Sequence, residues 1–227
     1  MPRTALLLGA TGLVGGHCLD LLLADDAYGH VTVVGRRPVS REHPKLRQHT
    51  VDFDRLADSA ALFDDARDVF CCLGTTIRAA GSREAFRRVD LEYPREAAEL
   101  ASRAGAERFL LVSAMGADPG SRVFYNRVKG EAEEAVRALP FREVVILRPS
   151  LLMGERTERR PAEALAQRMM GPLSFLLSGP LLKYRPVEGR TVARAMVRLA
   201  KAGGTGARVV ESDEIAAVGD ERLASGG

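Results

Sequence analysis

Short runs of consecutive apolar residues alternate along this chain with longer stretches whose apolar positions recur every three or four residues. Ala5–Leu8, Val31–Val34, Asp68–Cys72, Phe109–Ser113 and Val144–Leu147 read as strands, Thr50–Phe53 as a further short one and Ala207–Val210 as a late one. Between them, Gly12–Ala24 sets Leu13, Cys18, Leu21 and Leu22 at helical spacing. Ser82–Ala104 reads as a helix bent where Pro94 interrupts it, and Ser121–Leu139 as another. Strands apolar on both faces, each followed by a helix, predict an α/β fold with a doubly wound parallel sheet and right-handed crossovers. After Arg148 the rhythm breaks. Helical patterns at Pro161–Met170 and Thr191–Lys201 flank an apolar stretch, 171–180, that glycine and proline interrupt. The expectation is one domain over 1–227, with 149–206 as a small C-terminal elaboration, or lid, on the substrate side.

Composition narrows the classes. An apolar fraction of 46%, a charged fraction of 28% and a net charge of +3 are ordinary for a globular chain. The basic residues are dispersed and tryptophan is absent, which argues against a nucleic-acid surface. No apolar run approaches the ~18 residues of a membrane span, and the N-terminus lacks a signal-peptide pattern. Three cysteines, Cys71 and Cys72 adjacent, read as buried thiols in a reducing, cytoplasmic setting. The histidines show no zinc-ligand spacing, so no metal is expected.

The first strand runs into Gly9-Ala10-Thr11-Gly12-Leu13-Val14-Gly15. Glycines at a strand-to-helix turn let backbone approach a pyrophosphate and aim the helix N-terminus at its charge. Gly9, Thr11, Gly12, Leu13, Val14 and Gly15 are therefore candidate cofactor-binding residues. After the second strand, where an acidic residue would hold the ribose of NAD, stand Arg36 and Arg37. Two guanidinium forks suit a 2′-phosphate, which favours NADP(H) over NAD(H). Asp52, beside Phe53, either accepts from the adenine amino group or caps a helix. Cys72, Leu73, Gly74 and Thr75 form a small loop at the end of the fourth strand, at the same ligand edge.

Ser113 ends the fifth strand, and Tyr125 and Lys129 follow, four residues apart on one helix face. A serine there can hydrogen-bond a substrate carbonyl, and a tyrosine can pass its phenolic proton to the developing alkoxide. An ammonium one turn away favours the phenolate. Ser113, Tyr125 and Lys129 are the candidate catalytic residues, with Tyr125 and Lys129 also reaching the cofactor.

Taken together, GATGLVG, VTVVGRRP, FCCLGTTI, SAMGAD, FYNRVKGE and LRPSLL resemble the atypical short-chain dehydrogenases/reductases, in particular the Tat-interacting-protein-like oxidoreductases and their bacterial relatives. The resemblance covers about residues 4–160. It implies a Rossmann fold, bound NADP(H), the three residues above in the active-site positions, and Arg148, Pro149 and Ser150 passing close to the nicotinamide. It also implies that Asp90 supports the active-site region, the alternative being an exposed helix charge. Extended, epimerase/dehydratase-like members carry a tyrosine-glycine pair after the arginine-proline; here Leu152-Met153-Gly154 lacks the tyrosine. The implied activity is oxidoreduction of a small carbonyl, alcohol or nucleotide-sugar-like molecule. The competing expectation is an NADPH-binding redox sensor or adaptor, with 171–182 offering a surface for a second copy or a protein partner.

Overall fold

The computed structural model describes residues 2–154 and 184–220. Seven parallel strands form the central sheet: β1 (Arg3–Leu8), β2 (Tyr28–Gly35), β3 (Leu46–Thr50), β4 (Asp68–Cys71), β5 (Arg108–Val112), β6 (Glu143–Arg148) and, after two short strands described below, β9 (Gly206–Glu211). Their order across the sheet is β3-β2-β1-β4-β5-β6-β9. The order reverses between β1 and β4, and the crevice beyond their carboxyl ends is where a doubly wound sheet binds its ligand.

Successive strand residues face opposite sides, and each side has its own core. Ala5, Leu7, Val31, Val33, Phe70 and Val145 pack under α1 (Leu13–Ala24), α6 (Gly189–Ala202) and α7 (Ser212–Gly219). Leu6, Leu8, Val69, Cys71, Phe109 and Ile146 pack under the 3₁₀ segment Phe53–Phe63, α4 (Tyr93–Arg103) and the far end of α5 (Phe124–Arg137). Two further strands, β7 (Leu152–Met153) and β8 (Val187–Glu188), pair with each other in parallel. Among the described residues no helix is long and apolar enough to cross a membrane. The helix expected at Pro161–Met170 and the apolar stretch 171–182 lie outside the described residues; the one expected at Thr191–Lys201 falls within α6.

Two expectations need correction. The third strand is not Thr50–Phe53 but Leu46–Thr50, L-R-Q-H-T, an edge strand whose last four residues are exposed. An edge with a solvated face carries no apolar run to betray it. The helix expected over Ser82–Ala104 is three pieces: α3 (Arg83–Arg87), a π turn (Arg88–Glu92) and α4. A short helix, α2 (Ile77–Ala80), precedes them, with Thr76 capping it. Pro94 cannot donate to the carbonyl of Asp90, four residues back, and its ring crowds that carbonyl. The chain answers by widening just before the proline: Tyr93 N–H reaches back five residues to the Arg88 carbonyl.

At the end of the sheet remote from the ligand edge, Asp68 is wholly buried. It accepts from Arg108 Nη1 at 2.9 Å, Tyr28 Oη at 3.0 Å and Arg3 Nη1 at 3.3 Å. Burial, then the Asp68 carboxylate, pushes the Tyr28 phenol far above its ordinary range, so it serves as a fixed donor. Removing one partner of a buried charge pair costs more than the pair contributes. Asp68→Ala is expected to lower unfolding free energy by roughly 3–5 kcal/mol, read from urea midpoints, without moving nucleotide affinity in the fraction that remains folded.

Candidate functional site

The glycine loop joins β1 to α1. Gly9 has φ +83°, and a Cβ there would lie 2.5 Å from the Cys72 carbonyl oxygen. A Cβ on Gly15 would overlap the Gly9 carbonyl oxygen. The loop is therefore pulled against the end of β4 by backbone approach that no other residue permits. Gly12 is the N-cap of α1, with no side chain to close it and no acidic residue in the first turn. The leading amides of a twelve-residue helix are left facing the crevice, which fits a dinucleotide pyrophosphate. Thr11 is exposed above this cradle, Leu13 packs toward Gly154 and Gly189, and Val14 is buried in the core, so Val14 can offer a ligand only its backbone.

Around the rest of the crevice, Arg36 and Arg37 are exposed just beyond β2. Asp52 resolves as a cap: its Oδ1 accepts the Asp54 N–H at 3.0 Å. Phe53 is buried beside Tyr93, with ring centroids 5.2 Å apart, rather than in the crevice. Cys72 turns its thiol toward α1 and α6, 3.8 Å from Met196 Sδ. A hydrogen bond with Cys18, and then burial, holds that thiol well above its usual range. Cys71, the last residue of β4, is pushed up to about 12, chiefly by burial. Leu73 is half-buried, Gly74 is exposed, and the Thr75 N–H donates to Asp90 Oδ2 at 2.9 Å.

One face of α5 gathers ionisable side chains. Val128, Ala132 and Val136 anchor the helix, while Tyr125, Lys129 and Glu133, four apart, form the adjoining stripe. Lys129 is buried, and its Nζ pairs with Asp90 Oδ1 at 2.7 Å. Burial alone would lower the affinity of this ammonium for its proton. The Asp90 carboxylate, then Tyr125, more than offset that and hold it above the ordinary lysine value. Asp90 itself is only 1% exposed, which excludes the exposed-charge alternative. The π turn is what aims it at the helix opposite. Tyr125 is half-buried and stacks on Phe86 at 5.4 Å.

Ser113, at the end of β5, donates its hydroxyl to Glu133 Oε1 at 2.6 Å. Glu133 is 2% exposed and is gripped by the Arg148 fork, Nε to Oε1 at 2.9 Å and Nη2 to Oε2 at 2.7 Å. Arg148 Nη1 also reaches Glu211 Oε1 at 3.3 Å. The Glu133 hydrogen bond raises the Arg148 guanidinium above its usual value. The structure thus places Tyr125 and Lys129 on one stripe of α5, joins Ser113 to that stripe through Glu133, and commits Arg148 to Glu133 and Glu211. Pro149 is buried, its carbonyl accepting the Met115 N–H at 3.0 Å, and the Ser150 N–H donates to Ser212 Oγ at 3.1 Å. Sequence reading missed Glu133. Its signal is the spacing, four residues past Lys129, on a helix where glutamate otherwise reads as a solvent face.

Lys129 has its folded-state affinity for protons raised above the unfolded value. Its stabilising contribution is therefore complete below pH ~10.4 and fades only as pH climbs through the higher folded value. Asp90→Asn strands a buried ammonium, whose proton affinity then drops below the unfolded value. The variant is expected to be roughly 3–5 kcal/mol less stable at neutral pH and to recover part of that deficit as pH rises toward 10. Urea unfolding of both proteins across pH 6–10.5 measures this; a deficit that does not shrink with pH contradicts it.

Comparison with known proteins agrees with this fold. A family of NAD(P)H-binding proteins matches residues 9–172. The chain is 38% identical over 208 residues to protein HTATIP2 of Rattus norvegicus, covering 90% of this chain and 84% of that one. It is 39% identical over 173 residues to the protein fmp52, mitochondrial, of Emericella nidulans, covering 74% of each. Among solved structures, MoeE5 in complex with UDP-glucose and NAD superposes with a TM-score of 0.67 at 19% identity, covering 97% of this chain and 82% of that one. The UDP-N-acetylglucosamine 4-epimerase of Methanobrevibacter ruminantium does so at 0.70 and 14%, covering 92% and 76%. At such identities the likeness is one of fold. The likeness to atypical short-chain dehydrogenases/reductases is borne out by these relatives, and the chain belongs to the NAD(P)H-binding family.

Proposed function

We propose that this protein is an NADP(H)-dependent oxidoreductase of the atypical short-chain dehydrogenase/reductase type, acting on a small carbonyl or alcohol. The observation that carries the reading is Lys129, a buried ammonium held by Asp90 at 2.7 Å on the same helix stripe as Tyr125. A protein that needed these residues only for packing would have no use for a charge there. When bound, the dinucleotide supplies or accepts the hydride. Gly9, Gly12 and Gly15 seat its pyrophosphate, Arg36 and Arg37 meet the 2′-phosphate, and Thr75 with Gly74 lines the path between. Tyr125 Oη gives its proton to the substrate oxygen as that oxygen gains charge. Lys129 stabilises the phenolate left behind and gives its remaining donors to the ribose. Ser113 turns its hydroxyl from Glu133 to the substrate oxygen when the substrate arrives. The substrate-side elaboration expected at 149–206 is supported, where it is described, by Leu13 of the cradle packing toward its Gly154 and Gly189. Nucleotide sugars are a second substrate class to screen, because MoeE5 is in complex with UDP-glucose. The free thiols of Cys18, Cys71 and Cys72 support a reducing, cytoplasmic setting, although fungal relatives are named mitochondrial.

One observation favours a second reading, an NADPH-binding redox sensor without turnover. The Ser113 hydroxyl and the Lys129 ammonium are both already engaged, by Glu133 and Asp90. A panel of carbonyls and nucleotide sugars with NADPH separates the two readings. For the enzyme, Tyr125→Phe is expected to lower turnover by roughly 10²–10⁴-fold and NADPH affinity by far less, since phenylalanine keeps the ring and loses one hydroxyl. Absence of turnover across the panel, with tight NADPH binding, favours the sensor.

A further inference from the structure

Three elements, α4, the π turn and the 3₁₀ segment, meet at one carboxylate oxygen, Asp54 Oδ1. Tyr93, which opens α4, donates its Oη–H to Asp54 Oδ1 at 2.7 Å. Arg88, from the π turn, brings Nη1 to the same oxygen at 3.6 Å. Arg36, from the loop after β2, also acts on the Tyr93 hydroxyl. Burial, then Asp54, pushes that phenol up to about 12, so it remains a neutral donor. The Arg88 and Asp54 side chains are 54% and 53% exposed. An ion pair so long and so solvated contributes little, so Arg88 exchanges partners at small cost.

We propose that Arg88 is a second cationic arm of a 2′-phosphate subsite, joining the Arg36 loop beside Tyr93, and hence a residue that selects NADP(H) over NAD(H). The inference rests on the NADP(H) reading above and extends it to a residue that lies 52 positions beyond Arg36. A phosphate monoester carries nearly two charges near neutrality. Arg36 and Arg37 approach from a single exposed loop, whereas a guanidinium fork from a separate helical element adds donors from a second direction. In the absence of that phosphate, Asp54 keeps the Arg88 arm in place. The π turn that supplies Arg88 also supplies Asp90, which holds Lys129. One turn therefore touches both ends of the cofactor site.

The test is direct binding of NADPH, of NADH and of adenosine 2′,5′-bisphosphate to the full chain by calorimetry, with melting curves confirming that each variant is folded. Arg88→Gln is expected to weaken NADPH and the bisphosphate about tenfold and to leave NADH within about twofold. Arg88→Glu is expected to weaken the first two further. Equal losses for NADPH and NADH, or no loss for either, overturn the proposal. Arg36→Ala distinguishes the two levels of the argument. Discrimination that falls with Arg36→Ala but not with either Arg88 variant removes the Arg88 arm alone. Wild-type protein that binds NADH as tightly as NADPH, with Arg36→Ala silent, removes the NADP(H) reading and the arm with it.

Discussion

A lysine ammonium buried between a helix and a strand edge needs a counter-ion, and much of the ligand edge is arranged around that requirement. Asp90 meets it, but Asp90 comes from a segment that an ordinary α-helix would present differently. The π turn lets it reach Lys129 while its second oxygen takes the Thr75 amide. The same ion pair thereby ties α5, the turn before α4 and the loop after β4 together. Under the proposed function, those are three walls of the dinucleotide site. The fourth wall, the glycine loop, is fixed independently by backbone contact between Gly9 and the end of β4.

Glu133 is a second buried carboxylate at this edge, carried by α5 itself, and it holds the helix at a further point. Its two oxygens receive four donors, one from Ser113, two from Arg148 and one from Arg137 at 3.4 Å. The helix is thus pinned to β5 through a hydroxyl and to β6 through a guanidinium. Tyr125, between these two pinned positions and the start of the helix, has an aromatic neighbour in Phe86. A phenol held by ring stacking and by the fixed helix beneath it loses little freedom when a substrate arrives, and that preorganisation is what proton transfer requires.

The five core strands and the helices α1 and α5 were legible because burial on both faces writes continuous apolar runs, and burial on one writes a 3.6-residue period. Leu46–Thr50 was illegible because an edge strand with four exposed residues has no such pattern. β7 and β8 are two residues each, too short for any period. In the site, the glycines, Arg36, Arg37, Tyr125 and Lys129 could be picked out from local spacing. Asp90 could not be paired with Lys129, 39 positions away, and Arg148 gave no sign that Glu133 would occupy its fork. Polar residues announce their type in sequence, but their partners depend on how elements pack.

The π turn also sets a rule about length. It holds one more residue per turn than its flanking helices would, and a single deletion between Arg88 and Glu92 would let the segment relax to α-helical winding. Five residues of π turn and four of α-helix wind through nearly the same angle, about 400° at about 100° per α-helical residue, so such a deletion would leave Phe86 and the rest of α3 in phase with α4. The loss would fall on the turn itself, where Asp90 meets Lys129 and takes the Thr75 amide. The turn is thus a place where the chain carries one residue more than a regular helix without moving the elements on either side.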